Sequence, residues 1–202
     1  MYGGLFRAAA TLTSRDNGPA LQLEHHRALD RDTTMSKIFM FYLGGSAQGA
    51  NIEVHDVQFA VGECPEDTFP ALRERWFGDK ASLHVDAYSE INWADGHDVF
   101  LSAEPTSHKE KLYFVNMGAY LANEFHELHR FALFVAENEK LAREKARSAL
   151  LNDAMEQHKD NQMAVDECLQ LSELEGLHVH LRPNPGSRPF KADWHGYRPI
   201  AD

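Results

Sequence analysis

Cysteine is nearly missing from this chain: 202 residues contain two, Cys64 and Cys168. Two thiols so far apart make neither a disulfide framework nor a paired-thiolate zinc site. They read as reduced thiols of a cytoplasmic protein. Long apolar runs are missing as well, with no window of about 18 consecutive apolar residues, and that excludes a spanning helix. Basic residues are few, 20 Lys and Arg against 31 Asp and Glu, for a net charge of −11. An acidic balance of this kind lacks the clustered cations that non-specific nucleic-acid or anionic-membrane binding needs. No nucleophile elbow occurs, and no glycine loop carries the Lys and Ser/Thr of a P-loop.

What is present suffices for a folded protein. With 43% hydrophobic residues, the chain can bury a sizeable core in one or two domains. The charge is uneven. Residues 1–34 hold four Arg and four acids, so the whole excess of −11 falls on residues 35–202. Residues 1–34 also show no sustained periodicity. They read as a disordered extension, with Met35 as the natural start; a targeting peptide is the competing reading, opposed by Glu24, Asp30 and Asp32.

The chain then says nearly the same thing twice. KIFMFYLGGSAQGANIEVHDVQFAVGE from Lys37 returns 74 residues later, from Lys111, as KLYFVNMGAYLANEFHELHRFALFVAE. Lys37/Lys111, Gly44/Gly118, Glu53/Glu127, His55/His129, Val61/Val135 and Glu63/Glu137 are identical pairs. Farther on the offset grows by six, and VDAYSEINWADGHDVFL from Val85 aligns with VDECLQLSELEGLHVHL from Val165. Asp86 then matches Asp166, and Gly96 matches Gly176.

Each copy opens on a run apolar on both faces, Ile38 to Leu43 and Leu112 to Val115, as a doubly covered strand requires. A second strand follows. Its odd positions are Glu53, His55, Val57, Phe59 and Val61, matched by Glu127, His129, Phe131, Leu133 and Val135. Alternation along a strand puts Glu and His on the face of the core residues, an unusual place for ionisable groups. A helix is predicted over Pro65 to Phe77, with its counterpart from Glu139 to about Met155. Two strands joined at Asp95-Gly96, or Glu175-Gly176, close each copy. The expected fold is thus α+β, two tandem ββαββ repeats related by a pseudo-two-fold axis. The repeats occupy residues 35–102 and 111–182, with a polar linker at 103–110. The tail, 183–202, is rich in Pro and Gly yet carries Phe190, Trp194 and Tyr197, so it is expected to pack on the body.

LGGSAQGANIEVHDVQFAVG, EDTFPALRERWFGD, HVDAYSEI and the second-copy KLYFVNMG and HELHRFALFV together resemble the bacterial family catalogued as domain of unknown function 1543. The resemblance spans roughly Met35 to Arg182. It implies a folded bacterial protein carrying that domain in two copies. It implies no activity and no catalytic residues.

The sharpest chemical candidate is the duplicated Glu-x-His. Residues i and i+2 of a strand lie about 6.5–7 Å apart and face the same way. If the two second strands approach across the axis, Glu53, His55, Glu127 and His129 converge as a ligand set for zinc, iron or manganese. A metal-free site for a small polar molecule and purely structural Glu–His pairing stay open beside it. In the last case the protein is a non-catalytic module serving homo-oligomerisation. The glycine loop from Gly44 and Gly45 to Asn51 offers backbone N–H groups to a ligand, and the bulkier second-copy loop points to the first copy as the open one. Among the twelve histidines, His84-x-Asp86 recurs 74 residues on as His158-x-Asp160, in conflict with the match of Asp86 to Asp166. His178 and His180 read as an edge-strand surface pair.

Overall fold

The computed structural model describes residues 36–119, 125–150 and 163–200. The N-terminal extension, the insertion near Gln157–Gln162 and the His158/Asp160 pair lie outside the described residues. The fold is mixed α+β, mostly strands, with two helices among the described residues.

The lack of alternation in the opening runs has a direct structural counterpart. β1 (Lys37–Gly45) and β6 (Lys111–Ala119) are each the middle strand of their three-stranded core and are covered on both faces. β1 lies between β2 (Val54–Gly62) and β3 (His84–Glu90), antiparallel to both. β6 lies likewise between β7 (Leu128–Ala136) and β8 (Met163–Leu171). Even positions Ile38 and Met40 meet Leu112 and Phe114 in one central core, joined there by Phe59, Val99, Leu101, Val135, Val179 and Leu181. Odd positions face outward to a helix. Phe39, Phe41 and Leu43 pack on Leu72 and Trp76, from or just beyond α1 (Phe69–Arg75), whereas Tyr113, Val115 and Met117 pack on Ala142 and Ala146 of α2 (Glu139–Leu150). Small alanines on α2 let that helix lie close to its sheet. Copy one's predicted helix is shorter than expected. Its first residues, Pro65–Thr68, form a 3-10 turn, and Trp76 already has extended backbone.

The closing strands differ from the expectation that each copy finishes its own sheet. β4 (Trp93–Ala94) and β9 (Glu173–Leu174) are two residues long. Their partners β5 (His97–Ser102) and β10 (Leu177–Pro183) pair with each other, giving a sheet ordered β4-β5-β10-β9 shared by both copies. The turns at Asp95-Gly96 and Glu175-Gly176 have positive φ at both central residues, the conformation of a tight hairpin. β9 covers β10 at Leu177 and His178, so the edge position read for His178 is corrected, whereas His180 lies past the end of β9 and is paired on the β5 side. His180 Nε2 lies 2.8 Å from the Glu104 carbonyl, and His178 lies 3.9 Å from Glu173.

Asp98 fastens this shared sheet. It accepts hydrogen bonds from the Asn184 amide at 2.6 Å and from Arg182 at 2.9 Å, both contributed by the chain at or beyond β10. The Asn184 bond first, and then Arg182, hold the Asp98 carboxyl below the ordinary carboxylate range. A depressed pKa contributes stability that is complete above the unfolded value of about 3.9 and is lost as pH falls through the folded value. Melting temperature against pH should therefore fall less steeply below about pH 4 in Asp98→Asn than in the wild type. Parallel profiles would contradict this.

The tail adds a strand. β11 (Trp194–Pro199) pairs with β3, which extends the first sheet to the order β11-β3-β1-β2. Trp194 stacks on Tyr88 at 5.9 Å, Ile200 is buried among the α1-side residues, and Arg73 donates to the Ile200 carbonyl at 3.0 Å. Arg198 pairs with Glu66 at 2.6 Å and lies over Phe69.

Candidate functional site

Gly44 is the position around which the site forms. In register it stands opposite His55 on β2 and opposite His84 on β3. Side chains opposite one another in a sheet share a face, so both imidazoles rise beside a residue with no side chain. A Cβ on Gly44 would lie 2.5 Å from His84 Nε2 and 2.9 Å from Asp86 Oδ2. The space that glycine leaves is filled by the cluster.

Asp86 reaches that space through a bulge. Tyr42 pairs with Ala87 and Leu43 with Val85, so Asp86 is the extra residue between them. An extra residue breaks the up–down alternation locally and re-aims a side chain. The outcome is a ring of four polar groups. His84 Nε2 lies 3.2 Å from Glu53 and 3.3 Å from Asp86, while His55 Nε2 lies 3.2 Å from Asp86 and 3.6 Å from Glu53. His84 is only 2% exposed, whereas Glu53, in the loop before β2, is 47% exposed and marks the solvent side. Nδ1 of His84 lies 3.0 Å from the Ser82 carbonyl. A carbonyl only accepts, so Nδ1 carries the hydrogen, and Nε2 is the ring atom that faces the two carboxylates.

Aromatic rings brace the two imidazoles. Tyr42 stacks on His55 at 5.1 Å and 6°, and its other neighbour is Phe131 of the second copy at 6.0 Å. Burial first, and the nearby Asp86 charge second, push the Tyr42 phenol up, so it keeps its proton at neutral pH. Tyr197 of β11 lies over His84 at 4.3 Å.

The second copy builds a thinner version. Gly118 stands opposite His129, and a Cβ there would collide with Glu127 and Asp166. A bulge falls at Asp166, between the pairs Asn116/Glu167 and Met117/Val165. The residue opposite Gly118 on β8, however, is Ala164, in the position that His84 holds in copy one. His129 is half exposed and lies 3.8 Å from Glu127, 3.6 Å from Asp166 and 3.3 Å from the Asn116 amide.

Each Glu-x-His thus closes within its own copy, Glu53 with His55 and Glu127 with His129. Among the described residues no ion pair or hydrogen bond links the two pairs, and no group of three or more His, Cys, Asp or Glu is placed to hold a metal ion. In place of one four-residue convergence stand two clusters, one per copy. Sequence reasoning underrated His84 and missed Tyr197. Of the glycine loop, Gly44 and Gly45 end β1. A Cβ on Gly45 would press on Trp76 and Ser82, behind the cluster, so Gly45 serves packing.

Comparison with known proteins agrees with the duplication. No curated protein matches. Among solved structures, a crystal structure of the protein Il1583 from Idiomarina loihiensis is 33% identical, with 83% of this chain and 99% of that chain covered at a TM-score of 0.65. No helix among the described residues is long and apolar enough to cross a membrane. The profile of the family described as Domain of Unknown Function (DUF1543) matches twice, over residues 50–101 and 124–174, and the chain belongs to that family.

Proposed function

We propose that the protein is a ligand-binding module of two ββαββ repeats related by a pseudo-two-fold axis, with its site in the first copy alone. The register of the shared sheet supports the axis. Phe100 stands opposite His180, 80 positions on, and the pairs Asp98/Arg182 and Ser102/His178 exchange under the same shift. The site is the cluster of Glu53, His55, His84 and Asp86 around Gly44, and it accepts a small polar ligand or cation. One observation carries this reading: His84, only 2% exposed, holds Nε2 within 3.2–3.3 Å of two carboxylates, one of them on the half-exposed Glu53, so a buried polar group is reached from solvent through the cluster. Such an arrangement favours a small polar guest, because two carboxylates and two imidazoles gathered at one partly exposed spot offer it hydrogen bonds in a setting that burial strengthens. The second copy, with alanine at the matching position and a half-exposed His129, has a structural role.

Thermal denaturation against a panel of small polar metabolites and divalent ions tests the site. A ligand at 100 times its Kd stabilises by about 2.7 kcal/mol, a shift of several degrees for a chain of this size. At least one panel member should raise the melting temperature of the wild type and of His129→Ala, and leave His84→Ala unmoved. An equal shift in His84→Ala would place the site elsewhere.

A further inference from the structure

We infer that Tyr197 of the C-terminal strand is a lid on the first-copy site: its ring closes over His84 and swings aside to admit a guest. This rests on the first-copy site proposed above and adds how that site is closed.

The first observation is what encloses His84. Its imidazole lies against Gly44 on one side, where a Cβ would stand 2.5 Å from Nε2 and 3.0 Å from Cε1. On the other side, β11 brings the Tyr197 ring to 4.3 Å from it, at an interplanar angle of 37°. A guest that passes the exposed Glu53 meets two carboxylates, but the room around the imidazole is closed between Gly44 and Tyr197. Gly44 belongs to the backbone of a middle strand and stays. Tyr197 is 68% exposed, and among the described residues no hydrogen bond holds its hydroxyl. An exposed side chain of that kind changes rotamer in picoseconds to nanoseconds.

The second is how the strand carries that residue. His195 pairs with Ala87 and Arg198 with Val85, so Gly196 and Tyr197 both stand against Asp86. Two residues against one make a bulge, which leaves the ladder locally unpaired. Asp86 is itself the extra residue on the β1 side, so both neighbours of β3 break register at the same point. The chain on either side is well tied. Before the bulge, Asp193 accepts from the Glu90 amide at 2.7 Å and Trp194 stacks on Tyr88. After it, Arg198 pairs with Glu66, and the Ile200 amide donates to the Leu83 carbonyl at 3.0 Å. Tyr197 can therefore move while β11 stays on its sheet.

The third comes from the second copy. Among the described residues β8 pairs with β6 alone, so no strand lies where β11 lies on β3. The residue in the place of His84 there is Ala164. Among the described residues, covering strand and buried histidine occur together in one copy and neither occurs in the other. A strand that only finished a sheet edge would suit either copy, whereas a lid is needed only over a site.

The test needs no guest. Diethyl pyrocarbonate, which acylates accessible imidazole nitrogens, is applied at low dose to the full-length protein, and each histidine is read by peptide mass mapping. In the wild type, His84 should react more slowly than the half-exposed His129. Tyr197→Ala should speed His84 modification by about 2–10-fold, the factor that one ring contact contributes to a local opening equilibrium. His129 should keep its rate in that variant, which checks that the protein has not loosened as a whole. Tyr197→Phe should match the wild type, because the ring and not the hydroxyl does the covering. Equal His84 rates in the wild type and Tyr197→Ala overturn the lid, and so does a parallel rise at His129. These rates judge the lid apart from the ligand site. A panel in which no small polar molecule or ion stabilises the wild type overturns the site reading instead, whatever the His84 rates show.

Discussion

Phe114→Ala is expected to destabilise the whole protein by about 3–5 kcal/mol, the usual loss when a buried phenylalanine is truncated. The ring is buried in the central core, belongs to the second copy, and touches Phe59 of the first copy edge-on at 5.4 Å. Its other neighbour, Phe131, lies at 5.7 Å. The core it would vacate is made by both copies, so neither half can relax to fill the cavity without the other. The three tryptophans allow a clean readout, because Trp76 and Trp93 sit in the first copy and Trp194 in the strand that extends its sheet. In denaturant titration, the tryptophan-monitored midpoint should shift together with the midpoint by circular dichroism. A double-mutant cycle with Phe59→Ala should show coupling of about 0.5–1.5 kcal/mol. Separate transitions, with the tryptophan signal unmoved, would mean that the copies fold independently.

Gly44→Ala is expected to abolish ligand binding at the first-copy cluster and leave the protein folded. The added methyl would stand 2.5 Å from His84 Nε2, closer than real contacts allow, so the ring must move. His84 has little room to do so, being buried and held at Nδ1 by the Ser82 carbonyl. The φ of Gly44 is not in the left-handed region, so alanine suits the backbone and the cost is steric, about 1–3 kcal/mol. Gly49→Ala is the matched control. Its φ of +84° penalises a side chain, but nothing lies within 4 Å of the added carbon. That variant should lose about 1–2 kcal/mol of stability and keep the site. Unaltered binding in Gly44→Ala would show that the guest does not sit among these four side chains.

Much of the sheet was readable from local pattern. Ile38 to Leu43 lacks alternation because both faces are covered, one by the central core and one by α1. Val57, Phe59 and Val61 alternate because only their face meets the central core, and His55 continues that face to its rim. The readable part stopped where hydrogen bonding became non-local. Nothing in His97–Ser102 says that its partner is a strand some 80 residues away; the Asp-Gly turn signals a hairpin, but not that β4 is two residues long.

The site divides along the same line. By itself the sequence determined that Glu and His recur at one strand phase, that glycine precedes both, and that the two copies differ in their loops. Each of these is a periodicity along one strand. Only the tertiary structure decided that each pair closes within its own copy, that Asp86 turns in through a bulge, and that His84 comes to stand opposite Gly44. The match of His84-x-Asp86 with His158-x-Asp160 had obscured its role, whereas the backbone pairs Ala164 with Gly118 and leaves the second copy one histidine short. Register between strands is set by which cores close and where a bulge is tolerated, and those are properties of the packed sheets rather than of any one segment.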